Sequence, residues 1–333
     1  MKKFTLGFDI GGTKCAVVLG RGNIPEKVED GFIIDKIRFE TNQPRGWKLI
    51  IDELISSAKK ILERNNVTSD QVLACGISCG GPLDSKSGVI MSPPNLPDWD
   101  NVPIVELTEK ALGIKTYLQN DANACALAEW KFGAGRGTEN MIFLTFGTGM
   151  GAGLILGGRL YSGTNDMAGE VGHMRMAPDG PVGYGKKGSF EGFCSGGGIA
   201  DLAKLTVLKK LQCGVVPSFC RDESELDSIT AKSVAEAACA GDKTAIEIYE
   251  TCGEYLGKGL AVLIDILNPE AIVIGSIYQR SSALLQQKME ESIRMEALSL
   301  SAGVCRIVPA KLGDSIGDYA ALGVAFMNIT EEV

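Results

Sequence analysis

"FTLGFDIGGTKCAVVL", residues 4–19, reads as two apolar β-strands joined at a Gly-Gly turn. A second stretch, "IFLTFGTGMGAGLIL" at 142–156, has the same form. Laid over one another, Asp9 falls on Thr145, Gly11 on Gly147 and Gly12 on Thr148. A glycine hairpin in each half of the chain is a weak internal repeat, and it implies two related halves.

Working outward, "RGWKLIIDELISSAKKILERNN" (45–66) places Trp47, Ile51, Leu54, Ile55, Ala58, Ile61 and Leu62 on one face, so it predicts an amphipathic helix. "VLACGIS" (72–78) predicts a buried strand running into the turn "CGGP", and "KTYLQ" (115–119) another strand. "NDANACALAEWKF" then opens a helix with Asn120 or Asp121 at its start. Residues 163–198 are glycine-rich and predict a long functional loop region. Residues 199–213 and 231–267 read as helical, "AIVIGS" (271–276) as a strand ending in a turn, and 317–329 as a closing helix. This alternation of strands and helices indicates an α/β protein of two lobes.

The 333 residues suit two domains, and 45% hydrophobic residues can fill two cores. With 22% charged residues and a mean hydropathy of +0.09, the composition is that of an ordinary soluble protein. A net charge of −8 and a pI near 5.0 argue against a general nucleic-acid binder. They leave room for an anionic ligand, because backbone N–H groups bind phosphate without a basic surface. No stretch approaches the ~18 consecutive apolar residues of a membrane helix. The start, "MKKFTLGFDIGG", is expected to be a strand rather than a leader, since Asp9 interrupts the apolar run. Ten scattered cysteines with no C-x-x-C pair fit reduced thiols in a cytoplasmic protein.

In "DIGGTK", Gly11 and Gly12 let backbone N–H groups approach a phosphate, Thr13 adds a hydroxyl and Lys14 a cation. Asp9 could orient a hydrated Mg²⁺. A plain hairpin turn would look the same. "FGTGMGAG" (146–153) holds the weak dinucleotide fingerprint G-x-G-x-x-A, yet a strand rather than a helix follows, which argues against a nicotinamide enzyme. No G-x-x-x-x-G-K-[ST] occurs. Asp121 in "NDANA" suits a helix cap, and equally a carboxylate that takes a proton from a substrate hydroxyl. His173 is the chain's single histidine, three residues after Glu170, and Glu191 follows in "GSFEGF". Glycines around the histidine argue against a helical core position. Two carboxylates and an imidazole suit a polyhydroxylated ligand, whose hydroxyls need both acceptors and donors. A metal would need further ligands, and none stands nearby at suitable spacing.

Together these segments resemble the ROK family (repressor, open reading frame, kinase) nearly end to end. "DIGGTK", "GISCGGPLD", "PNLPDW", "NDANA", "FGTGMGAGLILGGRLYSG", "AGEVGH" and "IVIGS" stand in family order. The resemblance implies an actin-like ATPase fold of two RNase H-like lobes with the active site in the cleft. Their expected bounds are 1–118 plus 312–333 for the small lobe and 119–311 for the large one. It implies an ATP- and Mg²⁺-dependent sugar kinase, most simply acting on the 6-hydroxyl of glucose or an N-acetylhexosamine. Asp121 matches the catalytic base. Asn95, Asn120, Glu170, His173 and Glu191 match sugar ligands, and Gly80–Gly81 would flank the sugar. ATP would lie on Asp9, Gly11–Lys14 and Gly147–Thr148–Gly149, with Gly275 near the adenosine. A homodimer is implied as well.

Two departures from the family matter. Its zinc motif, C-x-C-G-x-x-G-C-x-E, is replaced by "VGYGKKGSFE": Val182, Tyr184 and Ser189 occupy the cysteine places and only Glu191 remains. Zinc is therefore not expected, and loop order is expected from packing, with Tyr184 and Phe190 filling the vacated space. Family repressors carry a DNA-binding domain ahead of the ATPase core, whereas here the first phosphate strand begins at residue 4, so none is expected. The rival reading is a catalytically weak or inactive sugar-binding sensor acting through protein partners. A nicotinamide oxidoreductase is the distant third.

Overall fold

The computed structural model describes residues 3–24 and 31–327. The chain divides into two compact units, the first comprising Met1–Glu139, Gly153–Ala168 and Lys311–Val333, the second Asn140–Ala152 and Gly169–Ala310.

The first unit is built on a five-stranded sheet. Strand β1 (Phe4–Ile10) turns back into antiparallel β2 (Lys14–Arg21), with Ile10 opposite Cys15 and Phe4 opposite Arg21. β3 (Ile33–Glu40) is antiparallel to β2, while β4 (Val72–Cys79) runs parallel to β1 on its other side. Helix α1 (Trp47–Arg64) connects β3 to β4 and buries Ile50, Leu54, Ala58 and Ile61 against the sheet. A small hairpin, β5 (Leu83–Asp84) with β6 (Val89–Ile90), and helix α2 (Ile104–Leu112) lead to β7 (Thr116–Asn120), parallel to β4. The strand order is β3-β2-β1-β4-β7. α3 (Asp121–Phe132) starts on the last residue's heels, so the β7–α3 junction has no loop at all.

The second unit repeats the plan with β8 (Met141–Phe146) and β9 (Met150–Leu156), the latter carrying the chain across the division at 152/153 to β10 (Arg159–Tyr161). β11 (Val182–Gly183) and β12 (Lys186–Lys187) form a hairpin. Helices α4 (Phe190–Phe193), α5 (Gly196–Gln212), α6 (Ala231–Cys239) and α7 (Lys243–Leu267) follow. Then come β13 (Ala271–Ile274), α8 (Ile277–Glu296), α9 (Ser299–Val304) and β14 (Arg306–Pro309). β13 is parallel to both β8 and β14, completing the order β10-β9-β8-β13-β14. The chain returns to the first unit as α10 (Ile316–Phe326), which packs on β1, β4 and α3. Gly76 permits that packing: a Cβ there would stand 2.1 Å from the Ala321 carbonyl oxygen.

The two hairpins, the strands at 72–79 and 116–120, and helices α1 and α3 lie where the sequence predicts them. Four differences stand out. The predicted helix 231–267 is two helices, because Asp242 interrupts at 240–242 and caps α7 by accepting from the Ala245 N–H. The glycine-rich span 163–198 contains a hairpin and the start of α5 rather than loop alone. Helices α2 and α8 are not among the predicted elements. The division also departs from a boundary at 118/119: α3 packs on α10 and so groups with the first unit. Of the predicted closing helix, residues 328–329 lie outside the described residues.

Candidate active site

In the first unit, the turn after β1 is held from outside. The Gly11 N–H donates to the Lys14 carbonyl at 3.0 Å, closing the turn. Thr41 donates its N–H to Thr13 and its hydroxyl to the Gly11 carbonyl, at 2.8 and 2.6 Å. Gln43 Nε2 bridges the carbonyls of Gly12 and Asn95, at 2.7 and 2.6 Å. The Asn95 loop approaches so closely that a Cβ on Gly12 would lie 2.5 Å from the Asn95 carbonyl oxygen. Only glycine fits there. Gly80 and Gly81 follow β4, and the Asn95 side chain lies over Gly80. Sequence reasoning missed Thr41 and Gln43; nothing local marks them, since their role depends on contacts 30 and more residues away.

Asn120 is the cap of α3, its Oδ1 accepting the Asn123 N–H at 2.8 Å, which leaves the side-chain NH₂ as a donor. Asp121 is the first residue of the helix, with Oδ1 accepting the Ala122 N–H at 2.9 Å. Its carboxyl is reached by solvent yet crowded by protein, and that desolvation raises its pKa against the opposing pull of the Ala122 N–H. Asp9, half-buried at the end of β1, is pushed up to about 6. Burial is the largest cause, then the charge of Asp318; Asp121 adds to the shift, while Lys36 and Arg38 oppose it. Lys36 itself pairs with Asp318 at 2.6 Å. A cavity of about 130 Å³ opens here, lined among others by Asp9, Lys14, Lys36, Arg38, Asp314 and Asp318.

Asp9 is thus a carboxyl whose charged form is disfavoured by burial first and by the charges of Asp318 and Asp121, and a divalent cation would relieve it. Mg²⁺ keeps several waters and usually takes one or two carboxylates together with substrate phosphates. The residues present fit that arrangement. Among the described residues no group of three or more His, Cys, Asp or Glu could hold a metal by protein ligands alone.

In the second unit, Gly147 donates its N–H to Gly149 at 3.2 Å in the β8–β9 turn, and Thr145 Oγ1 accepts the Gly151 N–H at 2.8 Å. Thr148 sits at the tip of that turn. Helix α5 points its N-terminus at it: Ser195 caps the helix through Gly198, and the Gly196 N–H donates to the Gly147 carbonyl at 2.8 Å. A helix N-terminus beside a glycine turn favours an anionic group. The run "SGGGIA" was the available signal for this helix start, and sequence reasoning passed over it. Gly275 closes β13 with its N–H on the Leu144 carbonyl at 3.0 Å, just before α8.

Glu191 lies in the first turn of α4, capped by Ser189, and its Oε2 accepts the Met150 N–H at 2.9 Å. Gly172, in the 3₁₀ turn Val171–His173, packs on the Met150 carbonyl and the Glu191 side chain. So the second unit brings the glycine turn, the Glu170–His173 turn and Glu191 together. Glu170 and His173 are both exposed. The Tyr184 ring stands edge-on to the imidazole, 6.5 Å between centroids, and among the described residues no side chain or backbone group hydrogen-bonds the ring nitrogens. Phe190 is fully buried, its ring packed on Gly259 of α7. Tyr184 does not fill the vacated loop space: it is 80% exposed at the hairpin tip with φ +44°, because the two-residue turn directs it outward.

The ROK family profile matches residues 5–330. A glucokinase from Thermotoga maritima is 31% identical over 320 residues, 96% of each chain. The solved structure of a ROK family glucokinase from Streptomyces griseus, in complex with glucose and AMPPNP, is 29% identical, with a TM-score of 0.71 over 96% of this chain and 98% of that one. A ROK hexokinase from Thermus thermophilus gives a TM-score of 0.79 at 26% identity, over 98% and 99%. The fold is that of the actin-like ATPases.

Proposed function

This chain belongs to the ROK family, as an ATP-dependent sugar kinase within it, and on that premise we propose that it phosphorylates the 6-hydroxyl of glucose or an N-acetylhexosamine with Asp121 as general base. The observation that carries the proposal is the placement of Asp121. Its carboxyl is solvent-accessible, pinned by the Ala122 N–H, and near enough to the first phosphate turn for its charge to raise the pKa of Asp9.

On this reading, the backbone N–H groups at Gly11–Lys14, the Gly147–Gly149 turn and the α5 N-terminus bind and orient the phosphates of ATP. Mg²⁺, when bound beside Asp9, supplies neutralisation of phosphate charge. Asn95, Asn120, Glu170, His173 and Glu191 hold the sugar hydroxyls, and the turn at Gly80–Gly81 leaves space for the ring. Asp121 accepts the proton of the attacking hydroxyl as the hydroxyl oxygen bonds to the γ-phosphorus and the bond to the β–γ bridging oxygen breaks. Positioning and electrostatics carry most of such chemistry.

General-base assistance is worth roughly 10²–10⁴-fold. Asp121→Asn is therefore expected to cut turnover by about that factor while sugar binding, read by calorimetry, survives. The assay is ADP release with ATP and Mg²⁺ across hexoses and N-acylhexosamines. A mutant keeping more than about a tenth of the rate would refute the assignment. Silence of the wild type across the panel, with sugars still bound, would favour the sensor.

A homodimer is part of the same proposal. Val262 and Ile266 of α7 and Leu298, Leu300 and Val304 at α9 are large apolar side chains left exposed on the second unit. Sedimentation velocity at micromolar concentration is expected to show the dimer; a monomer throughout would contradict it.

A further inference from the structure

The turn that carries His173 has little holding it from within. It is one 3₁₀ turn, Val171–His173, whose cap position, Glu170, makes no side-chain capping bond. Its internal bonds are His173 N–H to Glu170 at 3.2 Å and Met174 N–H to Val171 at 3.0 Å. An isolated turn of this kind is marginal in water. The imidazole is exposed, and the Tyr184 ring at its edge is exposed in turn.

Beyond the packing of Gly172 on Met150 and Glu191, what holds the turn is the β11–β12 hairpin and the segment that follows it. Lys186 Nζ donates to the His173 carbonyl at 2.7 Å. Beyond it, the Phe190 N–H donates to Met174 at 2.8 Å, and Met176 and Ala177 donate to the Gly188 carbonyl at 2.8 and 3.1 Å. Arg175 Nη1 reaches the Lys187 carbonyl at 2.7 Å. Of these bonds, only the one from Lys186 acts on the backbone of His173 itself.

The hairpin is built to aim that lysine. Tyr184 and Gly185 both have positive φ, +44° and +74°, as a tight two-residue turn requires. The register sets Lys186 opposite Gly183, which has no side chain to compete for the same face. Tyr184, at the tip, places its ring edge against the imidazole.

We propose that Lys186 is a positioning residue for sugar binding: it anchors the His173 carbonyl and so fixes where the imidazole is presented to the sugar, with no metal in the loop. This rests on the reading of His173 as a sugar ligand. A hydrogen bond from a lysine ammonium to a backbone carbonyl can do this, because such bonds are strong and the four-carbon stem reaches far.

The test compares Lys186→Met, Lys186→Arg and His173→Gln with the wild type by steady-state kinetics and by calorimetric sugar binding without ATP. Lys186→Met is expected to raise the sugar KM and Kd by about tenfold, leaving kcat and the KM for ATP within about threefold. Lys186→Arg, which keeps a cationic donor of similar reach, restores most of the affinity. A purely structural loss would move all constants or lower thermal stability, and arginine would not rescue it selectively. If Lys186→Met does not fold, Lys186→Gln is read in its place. Wild-type sugar affinity in the folded Lys186 variant, alongside a weakened His173→Gln, overturns the proposal. An unchanged His173→Gln overturns instead the reading of His173 on which it rests.

Discussion

Asp9 and Asp121 are both acids of the first unit with raised pKa values, and burial is the largest cause in each. Asp9, at about 6, binds its proton more tightly in the folded chain than in the unfolded one, where the usual value is 3.8. Folding stability contributed by this group is therefore lost as pH rises from about 4 through 6, and stays lost above. In metal-free protein at pH 8, Asp9→Asn is expected to be more stable than the wild type by about 1–3 kcal/mol. The gain vanishes near pH 4. Thermal melts at the two pH values check this, and a destabilised Asn variant at pH 8 would contradict it. If Asp9 holds Mg²⁺ as proposed, phosphoryl transfer by the variant falls as well. At this scale the site was partly legible: Asp9, Asn120 and Asp121 announce themselves by residue type at a strand end or a helix start. Gln43 and Lys186 do not, since a glutamine or a lysine in a loop has no local signature and each acts on a carbonyl remote in sequence.

Among the elements, α3 and α10 carry the first unit beyond its sheet, and Glu129 joins them to the returning chain. Its side chain is fully buried. One carboxylate oxygen accepts the N–H groups of Lys311 and Leu312, both at 2.9 Å, and the other accepts that of Ala134 at 2.7 Å. Glu129→Ala leaves three donors unpaired and a void, for an expected loss of about 3–5 kcal/mol. Chemical denaturation would show it as a lower midpoint, and a change under about 1 kcal/mol would refute the assignment. Local pattern could not single out this glutamate, which stands in "ALAEWKF" as any surface helix residue would. The same limit explains α8. Its buried positions, Tyr278, Ser281, Leu285, Met289, Ser292 and Ile293, include two serines, so the apolar stripe is thin in sequence and becomes visible only against α7. The β-hairpins were readable for the opposite reason: their glycine turns and flanking apolar strands are contiguous.

For the molecule as a whole, the sequence predicted two lobes and the repeat that underlies them, while the division itself depends on long-range packing. The chain passes between units at 139/140, 152/153, 168/169 and 310/311. None of these points is marked by a proline-rich or charged linker, and one falls inside strand β9. Composition could not locate them. The division has a spectroscopic consequence. All three tryptophans, Trp47, Trp99 and Trp130, belong to the first unit, while Tyr184, Tyr249, Tyr255 and Tyr278 represent the second. Selective tryptophan excitation thus carries probes from one unit only, with Trp99 in its interior. Set beside far-ultraviolet dichroism, to which the helices of both units contribute, that emission makes the natural chain its own singly labelled reporter, with no dye or engineered fluorophore needed to ask whether the two units melt in step.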